Sequence, residues 1–159
     1  MSEPLITFKG EVPGEWTDYN GHLRDAFYLL IFSYATDEFM ARIGLDAGGR
    51  ASSGRSLFTL ECHLNFLHEV KQGQQVRVQT RLLGHDLKRV HLYHSLHLAD
   101  EATELAASEQ MLLHVDLAGP RSAPFERHVA DALRAMSQQQ AGLPPPAWVG
   151  RVIGLPPAR

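Results

Sequence analysis

From Leu23 to Ile43 the chain runs without a glycine or proline, and Leu23, Phe27, Leu30, Ile31, Tyr34, Ala35, Phe39 and Ile43 recur at helical spacing before Gly44 stops the pattern. The spacing predicts a helix roughly 30 Å long at about 1.5 Å per residue. Its apolar positions spread round the circumference, so the helix is expected to be largely enclosed by something broad. The rest of the chain supplies strands for that purpose. Leu57 to Leu67 alternates, with Phe58, Leu60, Cys62, Leu64 and Phe66 on one face and Thr59, Glu61, His63 and Asn65 on the other. Gln74 to Leu83 and Arg89 to Leu98 follow, separated by a turn at Gly84-His85-Asp86, and Thr103 to Leu117 completes a meander after Asp100-Glu101. That last strand is long enough that a bend or bulge is expected. A weaker strand, Leu5 to Val12, precedes the helix and is closed by Pro13-Gly14, and Ala47 to Arg55 has the Gly and Ser content of a mobile loop. Phe125, Val129, Leu133 and Met136 form the stripe of a second, surface helix behind Pro124. The expected class is therefore α+β, with a five-stranded antiparallel sheet around a long helix in residues 1–142 and a Pro-rich, extended tail in residues 143–159.

At 159 residues the chain has the size of one domain that folds without a metal or disulfide staple. Fifteen Lys and Arg against 18 Asp and Glu give a net charge of −3, so neither nucleic acid nor an anionic membrane surface is an expected partner. An anionic ligand would have to meet a local basic patch. The apolar run Phe27 to Phe32 falls far short of the about 20 residues a bilayer requires. The N-terminal residues lack a secretion-signal pattern and Cys62 has no partner cysteine, which together favour a cytoplasmic location.

The densest chemistry lies in Trp16-Thr17-Asp18-Tyr19-Asn20-Gly21-His22-Leu23, directly ahead of the long helix. A carboxylate there would meet the free N–H groups and positive dipole end of a helix, and Gly21 would let a ligand approach the backbone. The plain structural alternative is that Asp18 or Asn20 caps the helix.

The element order, together with D-Y-N-G-H-L-R-D-A-F-Y, F-T-L-E-C-H-L-N-F-L-H-E-V and G-Q-Q-V-R-V-Q-T, resembles the hotdog-fold acyl-CoA thioesterases of the 4-hydroxybenzoyl-CoA thioesterase group over about Leu5 to Asp116. W-T-D-Y-N-G-H-L, T-L-E-x-H, L-L-G-H-D-L-K-R-V-H and S-E-Q-M-L-L-H-V-D followed by A-P-F are most similar to the betainyl-CoA thioesterases associated with carnitine degradation. The resemblance implies a homodimer or homotetramer whose sheets join edge to edge, active sites between subunits, and no cofactor beyond the acyl-CoA substrate. It places the catalytic carboxylate on Asp18, within a D-x-x-G element completed by Gly21 and extended by His22. Asp18 would attack the thioester carbonyl or deprotonate water, with Asn20 and His22 positioning water or carbonyl, or simply bonding within their turn.

The same resemblance suggests that Glu61 and His63 complete a neighbour's pocket, against the alternative of an ordinary solvated or interface face. A betaine acyl group carries a quaternary ammonium, which aromatic faces and a nearby carboxylate bind. Trp16, Tyr19, Tyr28 and Phe66 are the candidate cage, unless they are core. Lys88, Arg89 and Arg121 are candidates for the phosphates of coenzyme A, or else solvated charge. His85, His91, His94 and His97 do not have compact metal-ligand spacing, so no metal site is expected. Two rival activities fit the same residues. One is an (R)-specific enoyl-CoA hydratase of the same fold, whose D-x-N-P-x-H element Asp18 to His22 imitates with shorter spacing and no proline. The other is a non-catalytic acyl-CoA-binding dimer.

Overall fold

In the computed structural model, which describes residues 2–159, the long helix begins at Asp25, because Leu23 and Arg24 are held in a loop by Val70 and Trp16 carbonyls. The elements in chain order are β1 (Leu5–Glu11), α1 (Asp25–Arg42), α2 (Ala47–Ser53), β2 (Arg55–Phe66), β3 (Gln75–His85), β4 (Arg89–Leu98), β5 (Ala106–Asp116), β6 (Arg121–Ser122) and α3 (Arg127–Gln140). A short 3-10 turn, Gly14–Trp16, sits between β1 and α1. All strand pairs are antiparallel, in the order β1-β3-β4-β5-β2, and the two-residue β6 adds to β5 as a sixth strand. This is the α+β hotdog architecture, a curled sheet around α1 with a C-terminal helix.

One face of the sheet receives α1. Val76, Val78 and Leu82 of β3, Val90, Leu92 and Leu96 of β4 and Leu112 of β5 pack against Ile31, Phe32, Ala35, Phe39 and Met40 of the helix. Each large apolar side chain removed from water this way is worth about 1.5–3 kcal/mol. Val129, Leu133 and Met136 bring α3 into the same core beside the C-terminal half of α1. α1 is largely enclosed, as expected, with Tyr28, Ile31, Phe32, Ala35, Thr36, Phe39 and Met40 buried, but Leu29 and Tyr34 are 42% and 44% exposed on its outward side.

A buried polar line pins α1 over the middle of the sheet. Thr36 Oγ1 donates to the Phe32 carbonyl at 3.0 Å and lies 2.9 Å from His94 Nε2, while His94 Nδ1 lies 2.7 Å from Thr80 Oγ1. One proton arrangement satisfies all three bonds: Nε2–H donates to Thr36 and Nδ1 accepts from Thr80. Complete burial pushes the His94 imidazole down to about 3, which keeps it neutral.

Bulges redirect the strands. A register shift at Leu60 puts Thr59, Cys62, Leu64 and Phe66 opposite the core-facing residues of β5, and moves Phe58 to the outer face with Glu61 and His63. The single apolar face expected from Phe58 to Phe66 is therefore broken in two. β5 starts at Ala106 instead of Thr103 and pairs with β4 without interruption, so the expected bend is carried by bulges in β1, β2 and β3. Ala47 to Ser53 is a short helix, correcting the expected mobile loop. Asp46 caps it by accepting the Gly49 N–H at 2.7 Å, and Gly54 ends it at φ +67°.

Beyond α3 the tail crosses the outer face of the sheet. Arg81 donates to the Pro144 carbonyl, and the Gly150 N–H donates to Glu109 Oε1 at 2.8 Å. Val152, Ile153 and Leu155 lie almost fully exposed past that point. Among the described residues no helix is long and apolar enough to cross a membrane.

Candidate active site

Asp18 does not cap α1. The carboxylate closes its own turn: Oδ1 accepts the Asn20 N–H at 2.8 Å and the His22 N–H at 3.1 Å. The backbone locks the same loop, with Asp18 N–H donating to the His22 carbonyl at 2.8 Å and Gly21 N–H to the Asp18 carbonyl at 3.0 Å. Gly21 sits at φ +74°, a left-handed conformation that a β-carbon would strain, so this glycine is required by the turn. The donated His22 and Asn20 N–H groups hold the Asp18 carboxyl below the usual carboxylate range. Oδ2 takes no part in these turn bonds, so an ionised oxygen is left for chemistry.

The expectation of free backbone N–H groups beside Asp18 needs correction. Those of Asn20, Gly21, His22, Leu23 and Arg24 are all engaged within the loop or by Val70 and Trp16. At the start of α1 Arg24 makes no side-chain cap bond, while the Ala26 N–H donates to Asp25 Oδ1 at 2.8 Å and the Phe27 N–H to the Arg24 carbonyl at 3.0 Å.

The Asp18 turn is docked on the segment that links β2 to β3. Leu23 N–H donates to Val70 at 2.7 Å, Gln72 N–H donates to Gly21 at 3.0 Å, and His22 bridges to Lys71. This brings His22 Nε2 within 3.4 Å of Glu69 Oε2, an acid whose side chain is 72% exposed. Tyr28 lies beneath, its phenol raised by burial first and then by the Glu69 charge, and its ring meets Phe66 edge-on at 5.0 Å. Glu69 was missed in the sequence because H-E-V reads only as the polar end of a strand; nothing local shows that the chain folds back on His22.

The four aromatic candidates do not form one cage. Trp16 stacks on Phe27 at 5.9 Å, Tyr28 is buried under Phe66, and Tyr19 is 92% exposed with its ring in solvent. Glu61 and His63 share the outer face of the sheet with Glu109 and the tail's Arg151, around a cavity of ≈ 260 Å³, and face away from α1. Lys88 and Arg89 lie together towards the C-terminal end of α1, while Arg121 stands opposite Asp116 in β6 and does not line their cleft. Lys88 Nζ donates to Ser122 Oγ at 3.1 Å, next to Arg121. Arg89 pairs with Asp86 at 2.7 Å, and the Lys88 and Arg89 N–H groups with that pairing hold the Asp86 carboxyl at about 2. Asp86, Leu87, Lys88, Arg89, Ser122 and Pro124 line a cleft of ≈ 320 Å³ there.

Of the histidines weighed for metal, His85 lines a cleft with Asp86, Arg89 and His91, and the other three have partners of their own. His91 bonds Glu109 at 2.6 Å, His94 sits between two threonines, and His97 bonds Ser95 at 2.8 Å and the Ala102 carbonyl at 3.0 Å.

A family model described as the thioesterase-like superfamily matches residues 12–133, which span the Asp18 turn, α1 and the whole of β2 to β5. The chain belongs to that family and is a thioester hydrolase, an acyl-CoA thioesterase. Among individual relatives, it is 63% identical over its full length, and over the full length of the other, to the betainyl-CoA thioesterase of Pseudomonas aeruginosa. It is 37% identical over 98% of its residues to 31% of a two-activity protein of Ruegeria pomeroyi, an L-carnitine dehydrogenase/betainyl-CoA thioesterase. Of solved structures, one of a putative thioesterase from Pseudomonas putida shares 56% identity at a TM-score of 0.86, covering 98% of this chain and 99% of that one. A hypothetical protein from Staphylococcus aureus in complex with CoA shares 28% identity at a TM-score of 0.89, covering 96% of this chain and 97% of that one.

Proposed function

We propose that this acyl-CoA thioesterase hydrolyses betainyl-CoA to betaine and free coenzyme A, with Asp18 as the reacting carboxylate. The observation that carries the substrate is the 63% identity, end to end, with a betainyl-CoA thioesterase. The Asp18 turn supports the chemistry. With Oδ1 tied to two N–H groups, the free Oδ2 is aimed by the backbone and stays ionised at neutral pH. As a base, Oδ2 takes a proton from water, the hydroxide oxygen bonds to the thioester carbon, and the C–S bond then breaks as the thiolate leaves and is protonated. As a nucleophile, Oδ2 bonds to that carbon directly, the thiolate leaves, and water cleaves the resulting anhydride. Either route uses water and this chain's side chains.

The protein is proposed to act as a homodimer in the cytoplasm. β2 is an edge strand with Phe58 and Leu60 45% and 57% exposed, an apolar edge of the kind that pairs with another chain. A thiol-release screen over an acyl-CoA panel tests the substrate. Betainyl-CoA should give the highest kcat/KM, and a higher value for straight-chain acyl-CoAs would overturn the proposal.

A further inference from the structure

We infer that Glu69 is the residue that selects for a cationic acyl group, binding its quaternary ammonium against the face of Phe66. The inference rests on the betainyl-CoA reading and deepens it.

The chemistry of the acyl group sets the requirement. Its ammonium nitrogen is one methylene from the thioester carbonyl, so whatever recognises the charge must lie beside the group that attacks the carbonyl. Asp18 cannot serve both ends of so short a group. Its Oδ1 is consumed by the Asn20 and His22 N–H groups, and its Oδ2 faces the reaction. Asp25 lies in the first turn of α1, where Oδ1 accepts the Ala26 N–H at 2.8 Å, and among the described residues it makes no ion pair with His22 as Glu69 does.

Glu69 meets the requirement. It is one residue away from Asp18 through space: the His22 backbone N–H touches Asp18, and the His22 ring Nε2 lies 3.4 Å from Glu69 Oε2. Its side chain is 72% exposed, and the long contact to His22 is its sole ion pair among the described residues. Aromatic surface lies close by in the chain: Phe66 ends β2 three residues before Glu69, is half exposed, and meets the Tyr28 ring edge-on at 5.0 Å. A carboxylate with an open aromatic face is the pairing that binds a quaternary ammonium, which has no N–H to offer a hydrogen bond and is held by charge and the ring quadrupole. Trp16 and Phe27 stack on each other and Tyr19 turns into solvent, which leaves Phe66 as the ring for this role.

The test compares betainyl-CoA with 3,3-dimethylbutanoyl-CoA, whose acyl group has the same shape with carbon in place of the charged nitrogen. The readout is the ratio of their kcat/KM values in the wild-type protein, Glu69→Gln and Glu69→Asp. Removing a partly exposed counter-charge should lower the ratio in Glu69→Gln by about 10-fold, mostly through KM for betainyl-CoA. Glu69→Asp, which keeps the charge, should retain most of it. A structural effect passed through His22 to Asp18 would slow both substrates alike and leave the ratio where it was, which would overturn the inference. If Glu69→Gln is too damaged to assay, Glu69→Ala is read in its place: a ratio lowered by about 10-fold supports the role and an unaltered ratio overturns it. A wild-type protein with no preference for betainyl-CoA overturns the substrate reading itself, and is told apart from failure at Glu69 by the unmutated arm alone.

Discussion

The two ends of α1 carry opposite chemistry. Asp18, His22, Glu69 and Phe66 gather at its N-terminal end, while Lys88 and Arg89 lie together towards its C-terminal end beside the start of α3. One helix of 18 residues, about 27 Å at 1.5 Å per residue, lies between them. The two ends differ in what their cations accompany: the first has the proposed reacting carboxylate, Asp18, with Arg24 and Lys71 in its loops, while the second has Lys88 and Arg89 around Asp86. β2 runs from one end to the other, with Arg55 near the basic turn and Phe66 near Asp18. On the proposed dimer, a two-fold axis pairing β2 with its copy in antiparallel fashion sets the Phe66 end of one protomer beside the Arg55 end of the other. Unlike ends then meet twice, once at each site.

The sharpest break of this comparison is Asp18→Asn. It should lower kcat by about 10²–10⁴-fold in a thiol-release assay, if Asp18 acts as base, with the melting temperature nearly unaltered. Activity of the wild-type protein should fall as pH falls, because protonating Asp18 removes the base. Since the turn N–H groups hold the carboxyl low, the acid limb should lie below the ordinary value for aspartate. Near-normal hydrolysis by the variant would move the chemistry away from the N-terminal end altogether.

Next in size is the middle of α1, which belongs to neither end. His94→Gln should destabilise the fold by about 2–3 kcal/mol by breaking the buried bonds to Thr36 and Thr80. The sign of its pH dependence is set by burial. The folded-state value of about 3 lies below the unfolded one of about 6.5, so the unfolded chain binds the extra proton first. The stability due to a neutral His94 is whole above about pH 6.5 and shrinks as pH falls, by up to about 1.4 kcal/mol per unit. Urea unfolding at pH 7 and pH 5 should therefore show a larger loss in the wild-type protein than in His94→Gln. An equal loss in both would make His94 irrelevant to the acid response.

How far these regions are legible in the sequence follows from how local their causes are. α1 and the succession of strands along the chain could be read because periodicity and Gly, Pro and Asx punctuation act within a few residues. The expected four-strand meander is corrected, since β2 pairs with β5 at the sheet edge and β1 takes its place beside β3, a long-range choice with no local signal. The Asp18 turn was visible for the same reason: Asp, Asn and Gly bond within their own loop. Glu69 was not, because its meeting with His22 depends on where the β2–β3 link folds back, a long-range contact with no local signature. The bulge at Leu60 was also hidden; it has neither glycine nor proline, and it reassigned Phe58 to the face of Glu61 and His63. α2 was misread from composition alone, since Asp46 supplies the cap that its glycines and serines do not announce.

The smallest effect tests whether the two ends cooperate. Arg89 is half exposed and already paired with Asp86, so Arg89→Ala should raise KM for an acyl-CoA by only about 2–5-fold, and less at high salt. Its size matters less than its dependence on pairing. Leu60→Glu places a charge on the exposed β2 edge, where two-fold symmetry brings it near its own copy, and should shift the protein to monomer by light scattering. If Arg89 serves the partner's Asp18 site, the KM penalty of Arg89→Ala should disappear in the Leu60→Glu background, because a lone protomer has its basic turn at the wrong end of α1. If the penalty persists in a monomer, the cations act within their own chain, and the opposition between the two ends has no bearing on substrate binding.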